Sequence, residues 1–276
     1  NQCDRLAKDA PRVAPQGETA LWVSAATGEN IRELKEAIAA LRPSGPERRI
    51  VADLLSPGDL VVLVTPIDEA APKGRLILPQ QQTIRDILDA GAMAVVTKET
   101  ELPQGLAALK EPPRMVITDS QAFKKVSADV PTSIPLTSFS ILFARYKGNL
   151  PGAIRGVKAL ESLENGDKVL ISEGCTHHRQ CNDIGTVKIP NWIRQKTGKE
   201  PVFEFTSGGE FPRELTQYKL IVHCGACMLN EREMQSREAR AREQGVAMTN
   251  YGILIAYVTG ILQRSLAPFP EIAQLL

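Results

Sequence analysis

The sequence predicts an α/β fold made of two consecutive domains with parallel sheets, after a separate N-terminal strand and helix. Short runs of Val, Ile and Leu alternate with stretches of helical periodicity along most of the 276 residues. Such runs are typical of parallel strands that are buried on both faces. Two proline-containing segments, RPSGPERR and VPTSIPLTS, interrupt the alternation. They place the predicted domains at residues 1–45, 46–135 and 136–276.

The first segment predicts one strand and one helix. ALWVSA is a short apolar run, and the TGEN that follows it is typical of a turn. Asn30 is the predicted N-cap of the helix, with Glu33 at the capping-box position. Four apolar residues then recur at helical spacing, namely Ile31, Leu34, Ile38 and Leu41.

The second segment predicts three strands, DLVVLVTPI, AMAVVTK and RMVITD. TIRDILDAG between the first two fits a helix with Ile84, Ile87 and Leu88 on one face and Gly91 as its stop. The segment contains no cluster of metal-ligating side chains. We therefore expect it to serve packing and self-association.

The third segment predicts helices over SFSILFARYKGNL and GAIRGVKALESL, and strands at KVLIS and YKLIVH. LNEREMQSREARAREQ is typical of a helix, with Asn230 as N-cap, Glu233 as capping-box partner and Gly245 as the stop. The apolar run from Gly252 to Leu262 is too short to span a bilayer and predicts a buried helix.

The composition gives no signal for a polyanionic partner. The chain has 33 basic and 32 acidic residues, a net charge of +1, and only 5% aromatic residues. We therefore expect neither a nucleic acid nor a membrane as partner. The absence of a signal-peptide pattern, together with clustered cysteines, favours a reducing, cytoplasmic location.

Four of the five cysteines and all three histidines lie in two short stretches, CTHHRQC (residues 175–181) and HCGAC (residues 223–227). Each stretch lies at the carboxyl end of a predicted strand, where open α/β sheets form ligand sites. The stretches should therefore meet in one metal site. Cys224 and Cys227 have the spacing to bind one metal ion or cluster, and Cys175 supplies a third thiolate. The remaining cysteine, Cys3, is predicted to be a buried apolar residue.

Several chemistries fit these residues. Structural zinc would use Cys175, Cys224, Cys227 and one histidine. An iron–sulfur cluster would use the same three thiolates and leave one iron to a weak or exchangeable ligand. A redox pair at Cys224 and Cys227 leaves the third cysteine and the histidines unexplained. A Cys–His nucleophile lacks an orienting third group. Spacing alone leaves zinc and iron–sulfur both open.

The two stretches together resemble a family signature. Cys175-Thr176-His177 and His223-Cys224-Gly225-Ala226-Cys227 are similar to the C-x-H and H-C-x-x-C elements of the FeFe-hydrogenase maturation GTPase family HydF. The flanks ISEGCTHHRQCNDIGTVKIP and KLIVHCGACMLN resemble the same family.

The beginning of the chain resembles that family as well. NQCD, with Asn1 and Asp4, is similar to the guanine-recognition N-K-x-D element, with Gln2 in place of Lys. Ser24 and Ala25 resemble the S-A element that backs the guanine ring. The resemblance covers the whole chain. It implies that residues 1–45 are the last strand and helix of a P-loop GTPase domain, most of which this fragment lacks.

The resemblance implies a scaffold or carrier in hydrogenase maturation. It implies a 4Fe-4S cluster on Cys175, Cys224 and Cys227, and a two-iron precursor with CO, cyanide and dithiolate ligands that is delivered to the apo FeFe-hydrogenase. It also implies a homodimer formed by the middle domain, and radical-SAM maturases as further partners. The alternative is a zinc-stabilised regulatory or binding module attached to a GTPase.

GTP and Mg²⁺ are expected only in the complete protein, where Asn1, Asp4, Ser24 and Ala25 would contact the base. No G-x-x-x-x-G-K-[ST] loop occurs in this chain, so we do not expect the chain as given to hydrolyse GTP.

The resemblance leaves the fourth cluster ligand open. Cys181 would close the site with a fourth thiolate, and we favour an unliganded Cys181 because the loop would have to bend back to place it. His178 could donate a hydrogen bond to a cluster sulfur. The candidate fourth ligands are His177, His223, Cys181, Asn182 and Asp183.

Overall fold

The computed structural model describes residues 1–7, 20–41, 48–67, 76–174 and 183–276. The chain divides into two compact units, Asn1–Glu47 and Arg48–Leu276. Every strand in the described residues belongs to the second unit. None of the described helices is long and apolar enough to cross a membrane.

The first unit contains one α-helix in its described part, α1 (Ile31–Ala40), at the predicted place. The predicted strand in ALWVSA is wrong for residues 20–24, which form no strand. A strand needs a hydrogen-bonded neighbour, and the described part of this unit contains no second strand. Asn30 occupies the N-cap position of α1, as predicted, but its side chain makes no capping bond. Asn30 has a φ of 53°, and its side-chain amide donates to the Trp22 carbonyl at 2.9 Å instead of capping α1.

The first sheet has four parallel strands in the order β2–β1–β3–β4. Three of them are the predicted strands, and β4 lies inside the VPTSIPLTS segment, in which we placed the second domain boundary. Since β4 pairs with β3, from Val116↔Leu136 to Thr118↔Ser138, the first sheet extends past residue 135. The strands are β1 (Leu60–Val64), β2 (Met93–Thr97), β3 (Met115–Thr118) and β4 (Leu136–Ser138).

Three helices connect these strands: α2 (Leu78–Asp89), α3 (Leu102–Ala107) and α4 (Phe123–Asp129). The predicted helix corresponds to α2, which begins earlier than TIRDILDAG. Gly91 follows it with a φ of 71°, a conformation that favours glycine, so its predicted role as the stop is confirmed.

The second sheet repeats the strand order of the first, with four parallel strands in the order β6–β5–β7–β8. The two predicted strands are β5 and β7, and they lie in the middle. The strands are β5 (Lys168–Glu173), β6 (Val202–Ser207), β7 (Tyr218–His223) and β8 (Ala247–Asn250).

The helices of this part lie between and after the strands. Asn230 caps α8 as predicted, because its side chain accepts the backbone N–H of Glu233 at 2.8 Å. The helices are α5 (Phe139–Lys147), α6 (Leu150–Val157), α7 (Ile189–Thr197), α8 (Glu231–Glu243), α9 (Tyr251–Val258), α10 (Leu262–Ser265) and α11 (Pro270–Ala273).

The two sheets share one apolar core. Buried side chains of β1, β3 and α5 belong to the same cluster as those of β5, β7 and α9. Helix α9 is buried from Tyr251 to Ala256, which confirms the predicted buried helix. Arg264 of α10 donates to the carbonyls of Ser127, Val130 and Pro131 next to α4. The second unit is therefore one packed body containing two sheets.

Candidate metal site

The carboxyl ends of β5 and β7 lie side by side in the middle of the second sheet. Ser172 is paired with His223, and the Cys224 N–H donates to the Ser172 carbonyl at 2.9 Å. This pair is also where the strand order reverses, since β6 lies beyond β5 and β8 lies beyond β7. Open α/β sheets bind ligands at such a switch point. The predicted meeting of the two strand ends is thus confirmed.

Several of the predicted site residues lie outside the described part of the chain, so their roles stay predictions. In the part that the structure does describe, no group of three His, Cys, Asp or Glu side chains is assembled for a metal. Cys224 and Cys227 are described, and both are half-buried. The residues outside are Cys175, His177, His178, Cys181 and Asn182.

We call residues 224–227 the CGAC loop. The sulfur of its first cysteine faces two backbone N–H groups, one from the end of β5 and one from the loop itself. Cys224 Sγ accepts the N–H of Gly174, at the end of β5, at 3.1 Å, and that of Ala226 at 3.4 Å. Hydrogen bonds of this kind favour the thiolate over the thiol. Ala226 has a φ of 53°, which is strained for a residue with a Cβ. The CGAC loop is therefore held in a specific conformation in which backbone N–H donors face the Cys224 sulfur.

His223 bonds the CGAC loop through one ring nitrogen and Arg237 through the other. The side chain is fully buried, with Nδ1 2.9 Å from the Cys224 carbonyl and Nε2 3.1 Å from Nη1 of Arg237. Because a guanidinium can only donate, Nε2 accepts and Nδ1 carries the proton that it donates to the carbonyl. Burial lowers the pKa of His223 to about 4, so the ring is neutral at neutral pH. In this arrangement neither nitrogen has a lone pair left for a metal.

Arg237 is a site residue that we did not predict from the sequence. It is fully buried; its Nε donates to Glu233 at 2.8 Å, its Nη2 donates to the Gly208 carbonyl at 3.0 Å, and its guanidinium lies 5.0 Å from the centre of the Phe211 ring. Its helix, EREMQSREARARE, is so rich in charged residues that the sequence predicts a solvent-exposed arginine at this position. The only signal was its i, i+4 spacing from Glu233.

Lys147 was missed as well. It is the last residue of α5, and its ammonium group donates to the carbonyls of Ala226, Cys227 and Leu229 at 3.2, 3.0 and 2.9 Å. Burial lowers the pKa of Lys147, and the two cysteines of the CGAC loop oppose that shift. A lone lysine 77 positions before the loop gives no sequence signal for this contact.

Asp183, a candidate fourth ligand, is buried and caps the π-helical turn Ile184–Lys188. Its Oδ2 accepts both the N–H and the hydroxyl of Thr186, at 2.8 and 3.0 Å. The carboxylate is therefore already used in holding the chain that leads into α7.

A cavity of about 390 Å³ adjoins the CGAC loop. Helices α6 and α8 and strand β8 enclose it, and Cys224, Gly225 and Ala226 form part of its lining. Glu238 lies at its wall and accepts the Asn149 N–H at 2.9 Å, and burial raises the pKa of this carboxyl. The volume is within the usual range of ligand pockets, roughly 300–1,000 Å³.

One of the predicted guanine-recognition contacts is present within the first unit. Asn1 Oδ1 accepts the Ala25 N–H at 3.1 Å, and the Cys3 N–H donates to the Val23 carbonyl at 3.1 Å. Ser24 is fully buried, whereas Asp4 is exposed on the turn Cys3–Arg5. Cys3 itself is buried, as predicted. The structure thus brings Asn1 to the S-A element.

The fold and the site define an α/β protein of two packed parallel sheets with a cysteine pair at the switch point of the second. Two family models match this part of the chain. The hydrogen maturase F dimerization domain matches residues 50–148, and the hydrogen maturase F tetramerization domain matches residues 151–268. The chain belongs to the hydrogen maturase F family. It therefore has a role in hydrogenase maturation and contains a domain for self-association.

Other comparisons add little. No curated protein matches the chain. Among the solved structures, it is similar to a transcription regulation repressor of the LacI family from Corynebacterium glutamicum, with 12% identity, a TM-score of 0.24, and coverage of 78% of this chain and 91% of that one. A likeness at this TM-score carries no argument about fold or function.

Proposed function

We propose that the chain is an iron–sulfur scaffold that holds a 4Fe-4S cluster on Cys175, Cys224 and Cys227. The observation that supports it best is the side-by-side ending of β5 and β7, with Gly174 N–H donating to Cys224 Sγ. Cys175 follows Gly174 directly in the chain. Two strand ends with N–H groups aimed at sulfur fit a thiolate-bound cluster.

The described residues fit the charge of such a group. Two backbone N–H groups donate to the Cys224 sulfur, and the ammonium of Lys147 donates to the Cys227 carbonyl. Both the N–H donors and the positive charge favour anionic sulfur over neutral thiol. When bound, the cluster supplies an iron atom to which a second metal unit can attach. The chain's own part is to hold three thiolates and keep one coordination position exchangeable.

The fourth ligand is best sought in the CTHHRQC segment and the residue after it. The ring nitrogens of His223 are both bonded to protein, and Asp183 caps a helical turn. This use favours His177, Cys181 or Asn182 over His223 and Asp183. An exchangeable ligand suits a site that accepts and releases cargo.

The proposed cargo is a two-iron precursor with CO, cyanide and dithiolate ligands, which the protein delivers to the apo FeFe-hydrogenase. Radical-SAM maturases would supply it, in the cytoplasm. Membership of the hydrogen maturase F family supports this role. In the complete protein, GTP and Mg²⁺ would regulate exchange, with Asn1, Asp4, Ser24 and Ala25 at the guanine base.

The test is anaerobic reconstitution with iron and sulfide, followed by iron and sulfide analysis and electron paramagnetic resonance of wild-type and Cys181→Ala protein. We expect about four irons per chain and the spectrum of a reduced 4Fe-4S cluster in both. A colourless protein that binds zinc and rejects iron would support the zinc-stabilised module instead. A changed spectrum in Cys181→Ala would identify Cys181 as a ligand.

A further inference from the structure

We propose that Lys147 is the positioning residue of the CGAC loop and that it connects the first sheet to the metal site. Its effect on a bound cluster rests on the proposed function. Its effect on the loop does not, and it can be measured in metal-free protein.

The geometry of Lys147 matches a charged ammonium. An ammonium group has three N–H donors and no acceptor, and here three backbone carbonyls surround it, those of Ala226, Cys227 and Leu229. Only 8% of the residue is exposed. A buried ammonium is costly unless its donors are satisfied, so three acceptors indicate a built contact rather than a chance one.

These bonds fix the orientation of successive peptide groups in the CGAC loop. A trans peptide is planar, so a carbonyl that faces Lys147 turns the N–H of the next residue the opposite way. The N–H groups of Cys227 and Met228 consequently point away from the lysine. The Ala226 carbonyl also accepts the Leu229 N–H at 3.1 Å. Lys147 thus stabilises the strained conformation of Ala226, which costs about 1–2 kcal/mol for a non-glycine residue.

The charge of Lys147 acts on the cysteines as well. The ammonium bonds the carbonyl of Cys227 itself. A fixed positive charge beside a thiolate site favours the state with more negative charge, which for a cluster is the reduced state. Loss of this charge should therefore shift the reduction potential to a more negative value.

Lys147 belongs to a different part of the fold from the loop that it holds. It ends α5, which follows β4 of the first sheet, inside the segment matched by the dimerization model. The CGAC loop lies inside the segment matched by the tetramerization model. A second hydrogen bond joins the same two segments, since Asn250 Nδ2 at the end of β8 donates to the Ser140 carbonyl of α5 at 2.9 Å. Lys147 therefore joins the segment matched by the dimerization model to the loop that holds the cysteine pair.

The variants separate geometry from charge. Lys147→Met removes both the donors and the charge, and Lys147→Arg keeps the charge in a planar group that cannot bond three converging carbonyls. Lys158→Met is the matched control, because Lys158 also donates to two carbonyls, those of Leu275 and Leu276, but away from the CGAC loop.

In metal-free protein, the readout is the rate of alkylation of the tryptic peptide LIVHCGACMLNER, which holds both cysteines of the CGAC loop. At a pH at which the thiols of every variant are ionised, so that the rate reports access to the sulfur, we expect several-fold faster labelling in Lys147→Met and in Lys147→Arg, and the wild-type rate in Lys158→Met. Circular dichroism shows whether each variant is folded. If one of the two Lys147 variants is unfolded, the labelling rate of the other tests the positioning role. Wild-type labelling rates in a folded Lys147 variant would overturn the positioning role.

In reconstituted protein, the readouts are the reduction potential and the rate of iron loss to a chelator. We expect a more negative potential in Lys147→Met, a value near wild type in Lys147→Arg, and faster iron loss in both. Unchanged potential and retention in Lys147→Met would overturn the electrostatic role. A wild-type protein that takes up no cluster would refute the proposed function instead, and the alkylation rates would still decide the positioning role.

Discussion

The two sheets have the same strand order, yet only the second has cysteines at its switch point. In the first sheet, the chain after β3 lies under α9, where an added Cβ on Gly252 would be 2.6 Å from Ser140 Cβ and 3.2 Å from Ser120 Oγ. In the second sheet, the chain after β7 is the CGAC loop, beside a cavity. In the residues that the structure describes, α9 therefore packs over the end of β3, whereas the end of β7 leads into a loop beside a cavity.

The polar groups at the carboxyl ends of the strands, here called the first edge and the second edge for the two sheets, also have different partners. At the first edge, the Ser120 hydroxyl donates to the Ser138 hydroxyl at 3.0 Å, and Ser138 caps α5. These groups are used in building the protein. At the second edge, His223 and Lys147 bond the backbone of the CGAC loop and Arg237 holds the His223 ring, while the thiols of the loop remain half-buried. The described polar groups of one edge bond each other and cap a helix, whereas those of the other surround two half-buried cysteines.

The largest expected effect is the loss of metal from the second edge. Cys224→Ser removes the sulfur that accepts two N–H bonds and should reduce the iron bound after reconstitution to near zero. Cys3→Ser, which changes a buried cysteine in the other unit, should leave the iron content as in wild type. Full cluster occupancy in Cys224→Ser would mean that the ligands are elsewhere.

The support of the second edge is tested by Arg237→Met. The substitution leaves the Nε2 of His223 and the Gly208 carbonyl without their buried donor, so we expect a loss of about 3 kcal/mol in the free energy of unfolding. Urea denaturation measures it.

The control is Arg232→Met, an exposed residue of the same helix, which should change the free energy of unfolding by less than about 0.5 kcal/mol. Equal effects of the two substitutions would show that the buried arginine has no special role.

The closure of the first edge is tested by Gly252→Ala. Alanine favours a helix by about 1 kcal/mol, but its Cβ would overlap Ser140, and overpacking costs about 1–3 kcal/mol. We expect a net loss of about 1 kcal/mol in the free energy of unfolding, measured by thermal or urea unfolding.

Two variants sharpen this prediction. Ser140→Gly removes the overlapping atom and should restore part of the loss in the double variant. Gly209→Ala, where nothing lies within 4 Å of the added Cβ, should be nearly neutral. A Gly252→Ala protein as stable as wild type would show that α9 leaves room at this edge.

The smallest expected effect is the loss of unfolding free energy on removing a helix cap, one in the chain after β3 and one in the chain after β7. Asp119 caps the turn Ser120–Ala122 by accepting the Gln121 N–H, and Asn230 caps α8. Alanine at either position should cost about 1 kcal/mol, whereas Asn230→Asp should retain wild-type stability. Urea unfolding compares the three variants. A loss in only one of the alanine variants would show that the two edges differ in their caps as well as in their cysteines.

The sequence predicted the features that depend on local pattern. Apolar runs located β1, β2, β3, β5 and β7, and helical spacing located α2 and α8. Composition located the CGAC loop. Strand β4 was missed because the Pro, Ser and Thr of VPTSIPLTS are typical of a domain boundary, whereas pairing with β3 makes its last residues a strand. The contacts of Lys147 and Arg237 could not be predicted, since each joins residues that only the tertiary fold brings together.

The shared core has a thermodynamic consequence. Residues 48–276 contain two sheets whose strands, together with α5 and α9, contribute buried side chains to one large shared cluster, while a smaller cluster around Leu170, Tyr218 and Ile221 belongs to the second sheet. Neither sheet can lose its packing without exposing apolar surface of the other, so the unit should melt in a single transition with equal calorimetric and van't Hoff enthalpies. A ligand bound only at the CGAC loop would then raise the melting temperature of the first sheet as much as that of the second.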